Sequence, residues 1–162
     1  MRYRASWLAV ALTLAVCVAP AAAQQPAMAK DGPMMVSLTD SLKWSPIMPP
    51  GFEKGVEMAV VSGDPSAAGE PYVLRLRFPA NYRFPAHWHP VAENVTVLEG
   101  RFLVAMGDRP DDSQLKTYRP GDFMKLEAKH PHYGGARGAT TIQLHGNGPF
   151  EIVVVGSPQD KR

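Results

Sequence analysis

Four side chains able to grip a metal recur in this chain at close spacings. They are His87, His89 and Glu93 in the run His87-Trp88-His89-Pro90-Val91-Ala92-Glu93, and His132 in Lys129-His130-Pro131-His132. Imidazole nitrogens and a carboxylate oxygen are ligands that a divalent first-row transition metal accepts. Histidines at i and i+2 point the same way on a β-strand, where side chains alternate, and diverge on a helix. The His87/His89 pair therefore predicts a metal held by strands.

The rest of the chain supplies such strands. No stretch sustains helical periodicity, and from Val36 onward strand and turn signals alternate. Strands are predicted at 58–61, 72–78, 84–89, 93–98, 123–126, 140–144 and 150–155. Over 72–78, Val73, Arg75 and Arg77 alternate with Leu74, Leu76 and Phe78, as in a half-buried strand. Glu99-Gly100 reads as a turn into a strand at 101–106, predicting a hairpin. With 16 prolines and 14 glycines mostly between these runs, the pattern is that of an all-β barrel or sandwich. No internal repeat or second domain is visible.

The first residues read as a signal for export. Arg2 and Arg4 form a basic start, Trp7 to Val18 an apolar run, and Ala21-Ala22-Ala23 a small-residue cleavage pattern. Residues 1–23 are thus expected to be a signal peptide, 24–35 a flexible lead-in, and 36–162 the folded domain. A periplasmic or secreted location follows, with no stable membrane span once the signal is removed. The rivals are an uncleaved anchor, for which the run is short, and lipidation at Cys17, which Val16 disfavours. Removing 1–23 leaves 139 of the 162 residues. It takes two of the 17 basic residues, none of the 15 acidic ones and the lone cysteine. The remainder is formally neutral and without disulfides. No basic patch interleaved with aromatics appears, so a nucleic-acid partner is not expected.

With the strands in place, His87-x-His89-x3-Glu93-x6-Gly100 resembles the first motif of the cupin superfamily, a single-domain jelly-roll β-barrel. The second motif of that family resembles Gly121-Asp122 through Pro131-His132, with the glycine eleven positions before the histidine. The likeness spans roughly 58–155. Departures occur where the family has turn formers: Asn81, Glu127 and Lys129, and Ala136 in place of a trailing asparagine. The resemblance implies one divalent transition metal (iron, manganese, nickel or zinc) on His87, His89, Glu93 and His132. It further implies a dioxygenase acting on a small oxygen-donor substrate, dicarbonyl or phenolic, in which Glu93 also serves as a catalytic base. Pairing into a homodimer is implied as well.

Two other functions use the same barrel: a non-redox metal-dependent isomerase, lyase or hydrolase, and a non-catalytic carrier or sensor of a metal or small ligand. Several residues have alternative readings. His130, two positions from His132, is expected outside the ligand set, and His145 in a structural hydrogen bond or at the pocket. Trp88, between two ligands, is expected on the outside of the barrel. Arg75 and Arg77 either meet an acidic substrate or are merely solvated. Tyr133, Phe123, Leu126 and Met106 are candidates for pocket wall or core.

Overall fold

Two antiparallel sheets face each other across an apolar interior. The computed structural model describes residues 34–161, so the expected signal peptide and all but the end of the lead-in lie outside the described residues. From Val36 on the chain forms one compact unit.

The strands are β1 (Ser45–Ile47), β2 (Val56–Ser62), β3 (Pro71–Phe78), β4 (Arg83–Trp88), β5 (Glu93–Glu99), β6 (Phe102–Met106), β7 (Lys116–Tyr118), β8 (Phe123–Leu126), β9 (His132–Ala136), β10 (Thr140–Asn147) and β11 (Val153–Val154). One sheet has the order β1-β2-β3-β10-β5-β8, the other β11-β4-β9-β6-β7. From β3 onward every connection except β6–β7 changes sheet, which is the jelly-roll pattern. Among the described residues no helix is long and apolar enough to cross a membrane.

The predicted alternation over β3 holds. Leu74, Leu76 and Phe78 are buried with Tyr72, against Val95 and Val97 of β5 and Ile142 and Leu144 of β10. Each such side chain contributes about 1.5–3 kcal/mol by leaving water. Arg75 and Arg77 point outward and hold the segment before β1. Arg75 donates to Gln143 Oε1 (3.2 Å) and Thr39 Oγ1 (3.3 Å), and the Arg77 guanidinium lies 3.7 Å over the Trp44 ring.

The hairpin expected at Glu99-Gly100 does not form. β5 pairs with β10 and β8, whereas β6 pairs with β9 and β7. Gly100, at φ +80°, carries the chain from one sheet to the other, and a Cβ there would meet the Ala139 carbonyl oxygen. Strands β1, β7 and β9 escape the periodicity. In β9 the glycines of His132-Tyr133-Gly134-Gly135-Ala136 read against a strand. They are needed for approach: a Cβ at Gly134 would strike the Leu103 carbonyl, and one at Gly135 the Tyr82 carbonyl.

Candidate metal centre

A bulge in β4 aims the first histidine. Phe84 pairs with Gly134 and His87 with His132, so three steps on β4 match two on β9. The extra residue lets Phe84 and His87 both face the interior, although strict alternation would separate them. Pro85 fits there because a bulge tolerates a residue without an N–H. His89 follows the end of β4, Glu93 opens β5 and His132 opens β9. All four side chains are buried, between 3% and 6% exposed.

One ring nitrogen from each of His87, His89 and His132 lies within 4.8 Å of the other two. The Nδ1 atoms are committed elsewhere: to the Pro85 carbonyl (2.9 Å), the Glu151 carbonyl (2.6 Å) and the His130 carbonyl (3.2 Å), respectively. A carbonyl oxygen only accepts, so each Nδ1 carries the proton and each Nε2 keeps its lone pair. Glu93 Oε1 stands 3.6 Å from His89 Nε2 and 3.8 Å from His132 Nε2. These distances exceed a hydrogen bond.

Burial sets the charge states. It drives His87 well below the ordinary imidazole range, with His132 and His89 adding to the effect. It brings His89 down to about 4, opposed by the Glu151 carbonyl. His132 is lowered too, with Glu93 opposing. Neutral imidazoles form no ion pair with Glu93, despite the short separations. Burial pushes the Glu93 carboxyl up to about 7, with His132 opposing. Its Oε2 is buried without a hydrogen-bond partner, as is Tyr72 Oη. Leaving such an atom unpaired costs about 1–3 kcal/mol.

Three imidazole lone pairs gather in a buried interior with the Glu93 carboxyl beside His89 and His132, a donor set that a cation would hold together. The donor set fits a divalent ion: three neutral nitrogens and one negative oxygen leave it near +1 and fill only part of an octahedral shell.

Above the four groups the cavity is about 40 Å³, room for about three waters. Its walls include Ile47, Phe52, Leu76, Phe84, Val95 and Phe150. Phe52 meets the His87 ring edge-on at 5.2 Å, and Phe150 stacks on His89 at 5.3 Å. Neither phenylalanine, nor Tyr72, stood out in the sequence. Each is separated from the histidine motif by strand crossings that local periodicity does not reveal.

The other candidates fall outside the site. His130 is exposed and contributes its carbonyl to His132. His145 lies on the outer face beside Phe123 (6.4 Å between rings), and its carbonyl accepts from Asn94 Nδ2. Trp88 donates Nε1–H to Asp160 Oδ1 at 2.7 Å, in the turn Pro158–Lys161. Of the four possible wall residues only Leu126 lines the cavity. Phe123 and Met106 are 57% and 53% exposed, and Tyr133 is buried in a separate cluster with Ala86 and Ala105.

The crossing-strand jelly roll is a small β-barrel with three inward histidines that could hold a metal. The profile of the cupin domain matches residues 74–155, about half the chain, and the protein belongs to the cupin family. Solved structures share the fold. The polyketide cyclase RemF from Streptomyces resistomycificus matches with a TM-score of 0.64 and 17% identity, over 78% of this chain and 89% of that one. A cupin 2 conserved barrel domain protein from Rhodopseudomonas palustris matches at 0.57 and 13%, over 74% and 81%. The DMSP lyase DddQ from Ruegeria pomeroyi matches at 0.56 and 18%, over 72% and 62%. No curated protein matches the sequence significantly.

Two departures from the family motifs keep the backbone that the motif glycines serve. Asn81 and Lys129 stand where glycine is expected, and both adopt left-handed φ, +61° and +60°. The Lys129 N–H donates to the His89 carbonyl at 2.8 Å, tying that turn to a site histidine.

Proposed function

We propose that this chain is an exported, metal-dependent enzyme of the dioxygenase type, acting on a small, mainly apolar molecule with oxygen donors. The observation that carries this reading is the orientation of three imidazoles, each with Nδ1–H held by a carbonyl and Nε2 left to the interior. A bound redox-active ion would polarise an oxygen donor of the substrate and activate dioxygen. His87, His89 and His132 would hold it through Nε2, and Glu93 through Oε1. The apolar walls favour a mainly apolar body, dicarbonyl or phenolic, whose oxygens would turn toward the histidines once the interior of about 40 Å³ widens to admit it. Export is supported by Arg2, Arg4 and the apolar run before Ala21-Ala22-Ala23. A homodimer is supported by the exposed Phe123 ring on the outer sheet face.

The test is elemental analysis of protein purified without added metal, followed by oxygen uptake with β-dicarbonyls and catechols. One iron per chain and substrate-dependent uptake are expected. Absence of any stoichiometric ion would overturn the reading.

A second reading drops the oxygen chemistry. Glu93, a buried carboxyl 3.6 Å from His89 Nε2, would be the proton-transferring group that an isomerase or lyase requires. The structural likeness to a polyketide cyclase and a DMSP lyase favours the same direction. Substrate loss without oxygen uptake, abolished in Glu93→Gln, identifies it.

A further inference from the structure

Tyr72, Gly146 and Glu93 form one row across three strands: Tyr72 pairs with Gly146 between β3 and β10, and Gly146 with Glu93 between β10 and β5. Side chains along such a row share a face. The middle position has none, and the phenol occupies its place. A Cβ on Gly146 would sit 3.3 Å from Tyr72 Oη and 3.0 Å from the Ala92 carbonyl. Glycine thus leaves room for the hydroxyl at the row position between Tyr72 and Glu93.

Both polar ends of this row are buried and lack a partner: Tyr72 Oη and Glu93 Oε2. One is a donor and the other an acceptor. The hydroxyl is not needed for packing, because the Tyr72 ring lies against Phe150 (5.9 Å), where a phenylalanine would serve as well. Burial, and next the charge of Glu93, keep the phenol protonated up to about 12.

We propose that Tyr72 is a positioning residue that holds Glu93 from behind. Its hydroxyl donates to Oε2 once Oε1 has engaged the cation, and so fixes the carboxylate in its binding rotamer. Neither atom has another hydrogen-bond partner in the fold, so each is free to serve the other. Metal-bound carboxylates commonly need such support. This inference rests on the metal reading of the site.

The test uses Co(II) alone as probe, in competition with a chromophoric chelator, on the full chain. Tyr72→Phe is expected to weaken Co(II) binding by about tenfold and to alter the visible Co(II) bands. The melting temperature of the metal-free protein should stay the same or rise. In a Glu93→Gln background the same substitution should change affinity by less than about twofold, since the acceptor it serves has lost its charge. Equal affinity of Tyr72→Phe and the parent overturns the proposal, and so does an equal loss in both backgrounds. A parent chain that binds no Co(II) overturns the metal reading itself, and this inference with it.

Discussion

His87 and His132 face each other directly across β4 and β9, ring centroids 4.4 Å apart, and each donates Nδ1–H to the carbonyl two residues earlier in the chain, Pro85 and His130. The local backbone, not the opposite ring, sets the tilt of each imidazole. These bonds aim the lone pairs from the protein's own backbone, which lowers the ordering that ligand binding would require.

That relationship separates two neighbouring histidines. His132→Ala removes a nitrogen and should weaken Co(II) or Zn(II) binding by at least about a hundredfold. His130→Ala keeps the carbonyl that orients His132 and should stay within about threefold of the parent. Chelator competition measures both, and a large loss in His130→Ala would place that ring in the ligand set.

In the metal-free protein, acid should act through the histidines. His89, at about 4 in the fold against 6.5 free, contributes stability that is complete above 6.5 and is lost as pH falls toward 4. His87 and His132 are shifted in the same direction. Glu93 opposes them: at about 7 against 4.5, its contribution is complete below 4.5 and is lost as pH rises through 7. Three groups shifted down outweigh one shifted up, so acid is net destabilising below the ordinary imidazole range. Urea midpoints of chelator-treated protein should therefore fall from pH 6.5 to 4.5. A flat profile would show that these rings are not buried neutral.

Phe150→Ala separates wall from anchor. The half-buried ring lines the cavity and stacks on His89, yet the Glu151 carbonyl still holds Nδ1. A stability loss of roughly 1–3 kcal/mol is expected, below that of a fully buried Phe, with metal stoichiometry retained. Thermal melts and elemental analysis of one sample decide it.

Lys129 carries a left-handed backbone on a side chain that disfavours it. Glycine relieves a strain of about 1–2 kcal/mol and costs about 0.4–1 kcal/mol through the freer unfolded chain. Lys129→Gly should raise stability by roughly 0.5 kcal/mol, while Asn81→Gly gains less because asparagine tolerates this region. Denaturant midpoints read both.

The strand faces were legible wherever alternation was strict, as in Leu74, Leu76 and Phe78, or Glu93, Val95 and Val97. The histidine spacing put His87 and His89 on one side of a strand; the structure brings His132 beside both, and Glu93 beside His89 and His132. The bulge at Pro85 and Ala86 was not legible, since an inserted residue leaves no periodic trace. Nor was the crossing at Gly100: a turn signal says that the chain reverses, not which sheet receives it. Phe52, Tyr72 and Phe150 depend on such crossings, and therefore came to the site only with the structure.

His87 and His132 hang from the five-stranded sheet and Glu93 from the six-stranded one. An ion gripped from both sides is a rivet between two plates. With a single cysteine in the sequence, no intrachain disulfide can do that job. At a free-ion level a hundred times Kd, resistance to prying the plates apart grows by about 2.7 kcal/mol. Survival of this chain among proteases would then track the trace-metal supply of its surroundings.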